Sequence, residues 1–387
     1  MSPPTDAFPL TAIDAFHNDA STSGPEIENG ASQIEPNTSV TTSELRPITR
    51  QRQILVLISS FLTIFITIGF NQAYGVFQSY YISPTQTMLP KSTSQDSALV
   101  AFVGTLGYGL TWGGSIFVNP IMARLGVNGT RWLGVTGVVG MSVGFGLASL
   151  STQVWHLLLT QGLLFGLGSS LLYFPILSAA PEYFSAHRGS AMGFILSGAG
   201  IGGLVFSPLI RALITAIGPR WTLRFLCFLN LIISLPIAIT AAPSRFVGRR
   251  PTHVNLKLAL KPAFLFSVGA AFLQAGGNGL PLTFLSEYSV ALGYSASFGA
   301  TLLAISNGVN SVCRVISGYI GDRCGRQNTL ILTVSLSVAF VLSFWLSSTA
   351  GNGNRGLWIL FVVFYGAAGG GYNALFPTVS SCRSTSL

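Results

Sequence analysis

The sequence predicts an all-α polytopic membrane protein, and three observations predict it. Hydrophobic residues make up 49% of the chain and charged residues only 8%, about a third of the ~25% with which a soluble domain hydrates its surface. Mean hydropathy is +0.59. From Ile54 onward the apolar residues fall into a series of runs, each about 20 residues, the length that crosses bilayer hydrocarbon. The 44 glycines agree with this, because close helix packing in lipid favours small residues.

Residues 1–52 are rich in Ser, Thr, Pro, Asp and Glu. They bury too little apolar surface to offset the entropy of ordering, so a disordered tail is expected. Helices are then expected near 54–80, 98–119, 131–150, 153–178, 188–212, 222–242, 262–288, 296–319, 328–348 and 356–379. The first six make an N-terminal bundle over 53–242. A linker at 243–261 carries Arg245, Arg249, Arg250, Lys257 and Lys261. Four further helices over 262–380 make a partial C-terminal bundle, and 381–387 is an irregular end. With the N-terminus in the cytosol, inside segments hold fourteen of the 20 Lys and Arg residues and outside segments five, with Arg314 inside a helix. That excess sets a cytosolic N-terminus and linker, and the plasma membrane is the expected location.

The net charge of +9 does not point to nucleic acid. The bases sit between apolar runs rather than forming a stripe on soluble elements. Cys227, Cys313, Cys324 and Cys382 show no metal-ligand spacing, and no nucleotide loop or nucleophile arrangement is present. No cofactor, metal or catalytic residue is expected. The partners expected are the lipid bilayer and a small-molecule substrate, an organic anion or metabolite.

Arg314 lies in the middle of the eighth apolar run, within Asn310-Ser-Val-Cys-Arg314-Val-Ile. A base at the centre of a membrane helix costs ~2.5–3.5 kcal/mol on insertion scales. Such a residue faces a wet cavity or an anion, or snorkels to the nearer interface. Asn310 is one turn earlier on the same face. In the seventh run, Gln274-Ala-Gly-Gly-Asn278-Gly-Leu-Pro281 is expected to loosen the helix and expose polar groups to a cavity, with Gln274 and Asn278 one turn apart. Asn71 in the first helix and Tyr173 in the fourth complete the expected substrate-binding set.

The eighth run ends in Gly318-Tyr-Ile-Gly-Asp322-Arg323-Cys-Gly325-Arg326. This resembles the loop signature of the major facilitator superfamily, Gly-x-x-x-Asp-Arg-x-Gly-Arg. Gly318, Asp322, Arg323, Gly325 and Arg326 are therefore expected to form a gate, the acid and the arginines pairing across the cytosolic helix ends. The loop after the second helix is degenerate, with Asn119 where an acid belongs. Tyr173-Phe174-Pro175, then Tyr183-Phe184 and His187-Arg188-Gly189, then Ser197-Gly198 and Gly202-Gly203 resemble the fourth and fifth helices of fungal monocarboxylate-porter-like proteins. His187 departs from an arginine in that pattern.

The resemblance covers residues 50–380 and implies a major facilitator fold: a six-helix N-terminal bundle plus an incomplete four-helix C-terminal bundle that lacks the last two helices. It implies a secondary active transporter moving a small organic acid by alternating access, with Arg314 meeting the carboxylate. Asn310 stands where the family carries an acid. The first helix reads Gly69-Phe-Asn71-Gln-Ala-Tyr-Gly, without the lysine of the animal transporters, which puts protons as coupling ion by the animal scheme in doubt. The alternatives are an efflux pump for a fungal secondary metabolite, and a truncated non-transporting paralogue or faulty gene model.

Overall fold

A computed structural model describes residues 49–90, 97–184, 187–241, 260–349 and 354–382. The expected tail up to residue 48, most of the basic linker and the end from residue 383 lie outside them. The helices are α1 (Arg50–Ile82), α2 (Ser97–Gly113), α3 (Ser115–Leu125), α4 (Gly129–Ala148), α5 (Val154–Tyr183) and α6 (Arg188–Ile217). They continue as α7 (Pro219–Thr240), α8 (Pro262–Ala291), α9 (Ala296–Cys324), α10 (Arg326–Ser348) and α11 (Arg355–Cys382). No strand occurs among the described residues.

Each expected apolar run coincides with a helix, α2 and α3 together making the second. These two meet at 41°, and the bend falls at Gly114, which packs on the Ser170 side chain of α5. Among the described residues seven helices are long and apolar enough to cross a membrane, or eight with the bent pair counted as one. α9 misses that test because Asn307, Asn310, Ser311 and Arg314 dilute its apolar run.

Two expectations about boundaries and regularity need correction. Helix α1 begins at Arg50, so the last residues of the expected tail belong to it. α8 runs unbroken through the expected loosened stretch, with Pro281 inside it. A proline removes one ladder hydrogen bond, which a membrane helix tolerates when neighbours take up the freed group.

Aromatic rings fill the N-terminal half. Phe70 packs on Phe206 at 4.3 Å and on Phe145 at 5.2 Å between ring centres. A polar cluster sits inside this apolar mass: the Asn230 amide of α7 donates to Ser142 Oγ of α4 at 2.7 Å and accepts from Ser234 at 3.0 Å. Satisfied at both ends, it fixes the α4–α7 register without an orphaned group. Gly218, at φ 82°, ends α6, and Pro219 opens α7, the Gly-then-Pro order that stops one helix and starts the next. In the C-terminal half Trp358, Phe361 and Tyr365 of α11 pack with Leu285 and Leu302, and Trp358 Nε1 donates to Ser289 Oγ at 2.9 Å.

Helix α6 is the hinge-pin of this packing because glycines let it approach two partners. A Cβ at Gly202 would lie 2.8 Å from the Cα of Gly69 on α1. Gly202→Ala should therefore cost about 1–3 kcal/mol, as overpacking does, and lower the thermal midpoint in detergent. At Gly75 an added Cβ meets nothing within 4 Å, so Gly75→Ala should be neutral or slightly stabilising. Equal effects of the two substitutions would contradict this packing.

Candidate functional site

The candidate site lies along the seam between α6 and α9. Asn307, Asn310, Ser311, Arg314, Ser317 and Gly318 recur at three- and four-residue spacing, which puts them on one side of α9. Across the seam Gly193 of α6 sits against the Arg314 backbone carbonyl, and Gly200 sits against Ser311. Small residues are what allow two helix backbones to touch.

Arg314 is 8% exposed. Its Nε donates to Asn310 Oδ1 at 2.9 Å, and one Nη donates to the backbone carbonyl of Leu196 on α6. The guanidinium thus turns back along α9 toward Asn310, the direction helical side chains favour, and away from Asp322. Snorkelling past the Asp322 end is not what the side chain does. Among the described residues no carboxylate faces it.

Asn310 serves as a bracket. Its Oδ1 receives Arg314, while its Nδ2 donates to the Gly366 carbonyl of α11 at 3.1 Å. Each end of the amide makes one bond, so it positions the guanidinium while keeping one N–H and one lone pair. Tyr173, from α5, belongs to the buried cluster that holds Ile195 and Leu196 of α6.

The other expected residues lie apart. Asn71 donates to the Thr67 carbonyl at 2.9 Å and to Thr111 Oγ1 at 3.3 Å. It lines a cavity of about 20 Å³ within the N-terminal half, with Tyr74, Gln161 and Phe165, roughly the room one water needs. Gln161 lies in a wide π-type turn, Leu158–Leu164. Gln274 is half-buried in α8. The Asn278 side chain lies outside the described residues.

At the far end of the seam Asp322 closes the two helices together. Its carboxylate accepts from the backbone N–H of Gly189 and of Ser190, each at 2.8 Å, and from Ser190 Oγ at 3.0 Å. These are first-turn donors of α6, whose own N-cap, His187, makes no side-chain capping bond. Asp322 therefore caps a helix of the other half and meets the positive end of its dipole. Burial pushes the Asp322 carboxyl up. Hydrogen bonds from Ser190, Gly189 and Arg326 outweigh that and hold it below its ordinary value of 3.8.

Arg326 contacts Asp322 at 3.2 Å from its own half, and Arg323 stacks over the Tyr319 ring at 4.5 Å. Across the seam the Asp322 carboxylate takes backbone N–H groups of α6. Gly318 lies against the Gly189 backbone, and Gly325, at φ 94°, turns α9 into α10. That left-handed position costs glycine nothing.

Sequence reasoning missed the Leu196 carbonyl, because a backbone acceptor leaves no signal in the sequence. Trp112 meets Tyr173 edge-on at 5.4 Å and Tyr108 at 6.2 Å.

Residues 53–386 match the profile of the Major Facilitator Superfamily. The MFS transporter asaE of Aspergillus flavus is 30% identical over 84% of this chain and 71% of its own length. The MFS-type transporter pynF of Aspergillus niger is 32% identical over 84% and 73%. The agnestins efflux protein AgnL12 of Paecilomyces divaricatus is 28% identical over 82% and 71%. Among solved structures a double-tryptophan mutant of XylE covers 84% of this chain and 80% of its own, with a TM-score of 0.59 at 15% identity.

Proposed function

Since the chain belongs to the major facilitator superfamily and is a multi-pass membrane transporter, we propose that it moves a small organic acid or related metabolite by alternating access, as a monocarboxylate-porter-like member. One observation carries this: Arg314 is held at the centre of the seam by Asn310 and the Leu196 carbonyl, with no carboxylate of the described chain to neutralise it. A charge so placed favours an anionic ligand, and its uncommitted Nη can donate to a carboxylate.

The Asp322 cap across α6 and α9 supports a gate at that end. In alternating access this end opens while the opposite one closes, so the cap must form and release once per cycle. The family's gradient drive requires no nucleotide. Protons as the coupling ion rest on the family resemblance, since no acid faces Arg314 among the described residues.

A second reading is favoured by the name of AgnL12, an agnestins efflux protein: export of a fungal secondary metabolite through the same site. Counterflow in liposomes holding the full chain tests both. Exchange of carboxylates, whether short acids or larger metabolite acids, supports the Arg314 site, and the effective acid separates the two readings. Exchange of neutral solutes only would overturn both.

For orientation we propose a cytosolic N-terminus and linker at the plasma membrane, from the Lys and Arg excess. In intact cells Thr252→Cys, on a cysteine-free background, should resist a membrane-impermeant maleimide until the cells are permeabilised. Labelling without permeabilisation would reverse the orientation.

A further inference from the structure

We propose that a groove between α1 and α7, at the Arg50 end of the membrane, holds an acyl chain of an anionic phospholipid whose headgroup sits between Arg50 and Arg52. This goes beyond the transport reading and does not depend on it.

The groove has a volume of about 470 Å³, walled by Ile54, Leu55, Ile58 and Leu62 of α1 and by Pro236 and Ile237 of α7, with Gln51 and Thr240 at its mouth. The hydroxyls along it are satisfied inside their own helices. Ser59 Oγ donates to the Val56 carbonyl at 3.2 Å, and Thr240 Oγ1 donates to the Pro236 carbonyl at 2.7 Å. What the wall offers is therefore hydrocarbon, which suits an acyl chain and penalises a polar solute. From Gln51 to Leu62 the α1 wall rises about 17 Å, close to the ~15 Å of hydrocarbon in one leaflet. The groove thus starts at the membrane surface and has the depth of one lipid chain.

Charge selects the lipid. At about 100° per helical residue, Arg50 and Arg52 flank Gln51 on either side of the mouth. Both are exposed, and neither pairs with a carboxylate among the described residues. The first turn of α1 carries no acid. Gln53, on the opposite face of α1, donates to the Tyr183 carbonyl at 3.0 Å, so the α5 end that carries Glu182 packs behind the helix. Two guanidiniums at the mouth can each grip phosphate oxygens in a fork. They favour a net-negative headgroup over one whose own ammonium they would repel. In the orientation proposed above this is the cytosolic leaflet, where anionic lipids are found.

The test is native mass spectrometry of the full chain, delipidated in detergent and titrated with palmitoyl-oleoyl phosphatidylserine or phosphatidylcholine. A base beside an anionic headgroup is worth roughly fivefold, so wild type should hold phosphatidylserine about five- to thirtyfold more tightly. Arg50→Gln combined with Arg52→Gln should bring that ratio close to one. Arg124→Gln combined with Arg131→Gln, which removes two exposed bases away from the groove, should leave the ratio as in wild type. Ile58→Trp, which fills the groove, should weaken both lipids. A wild-type ratio near one, or a ratio that survives loss of Arg50 and Arg52, would overturn the proposal. Equal loss in the control pair would reduce the effect to diffuse surface charge and overturn it too. Unchanged phosphatidylserine binding by Ile58→Trp would remove the groove from the site. Lipid-free dimers in place of lipid adducts would make this face a contact between copies of the chain, again against the proposal.

Discussion

Arg314→Ala is expected to lower transport at least a hundredfold while leaving the amount of folded protein in the membrane nearly unchanged. A charge-assisted hydrogen bond from the uncommitted Nη to a carboxylate is worth about 1.5–3 kcal/mol. Losing it together with the charge that attracts the anion reaches the ~2.7 kcal/mol that corresponds to a hundredfold rate. Stability changes far less, because two effects oppose. The substitution forfeits the bonds to Asn310 and Leu196, but it also relieves the ~2.5–3.5 kcal/mol cost of a base at mid-membrane. Arg314→Lys should recover less than a tenth of the lost activity, since an ammonium cannot hold both the Asn310 and Leu196 contacts and still present a fixed donor to the carboxylate. Initial rates in liposomes, with the reconstituted amount matched, decide the point. Wild-type rates from the alanine variant would move the anion site elsewhere.

Asp322→Ala is expected to open the seam. It removes three bonds to the first turn of α6 and leaves backbone donors there without their cap. Bonds to a charged group of about 1.5–3 kcal/mol imply a shift of roughly ten- to a hundredfold toward the open arrangement. Ser311 reports it, being buried in the seam against Gly200. On a cysteine-free background, Ser311→Cys should react with a small maleimide ten- to a hundredfold faster when Asp322→Ala is added. Arg326→Gln should raise the rate far less, because a partly exposed pair is worth only about 0–1 kcal/mol.

The pH dependence has a definite sign. Asp322 titrates below its ordinary value of 3.8 in the closed seam, so the cap is at full strength above that value and weakens only as pH falls below it. Labelling of Ser311→Cys should therefore be insensitive to seam opening between pH 8 and 5, after correction for thiol ionisation. A rise within that window would make some other group the trigger.

Much of the fold was legible because membrane helices are written in run length. The apolar segments between Ile54 and Val379 matched helices, with errors of a few residues at caps such as Arg50. The bend at Gly114 and the π-type turn at Leu158–Leu164 were not legible. Both depend on what packs against the helix, not on its own sequence. Pro281 shows the converse: a composition that signals a break was absorbed into a continuous α8.

The site was legible where it costs energy. A lone arginine in an apolar run announces itself by its insertion cost, and Asp322 by its motif. What Asp322 grips was not legible, because the donors are the backbone N–H groups of Gly189 and Ser190. The bracketing role of Asn310 was not legible for a related reason. Nothing in the sequence says that the Gly366 carbonyl would take its amide.

The central claim is that the Arg314 charge selects an anion. The measurement that tests it most directly is titration of wild-type and Arg314→Gln protein in nanodiscs with benzoate and with benzamide, its uncharged counterpart. Wild type is predicted to bind benzoate at least tenfold more tightly, and Arg314→Gln to lose that preference. Equal affinity of wild type for the two, or a preference that survives in Arg314→Gln, would contradict the claim.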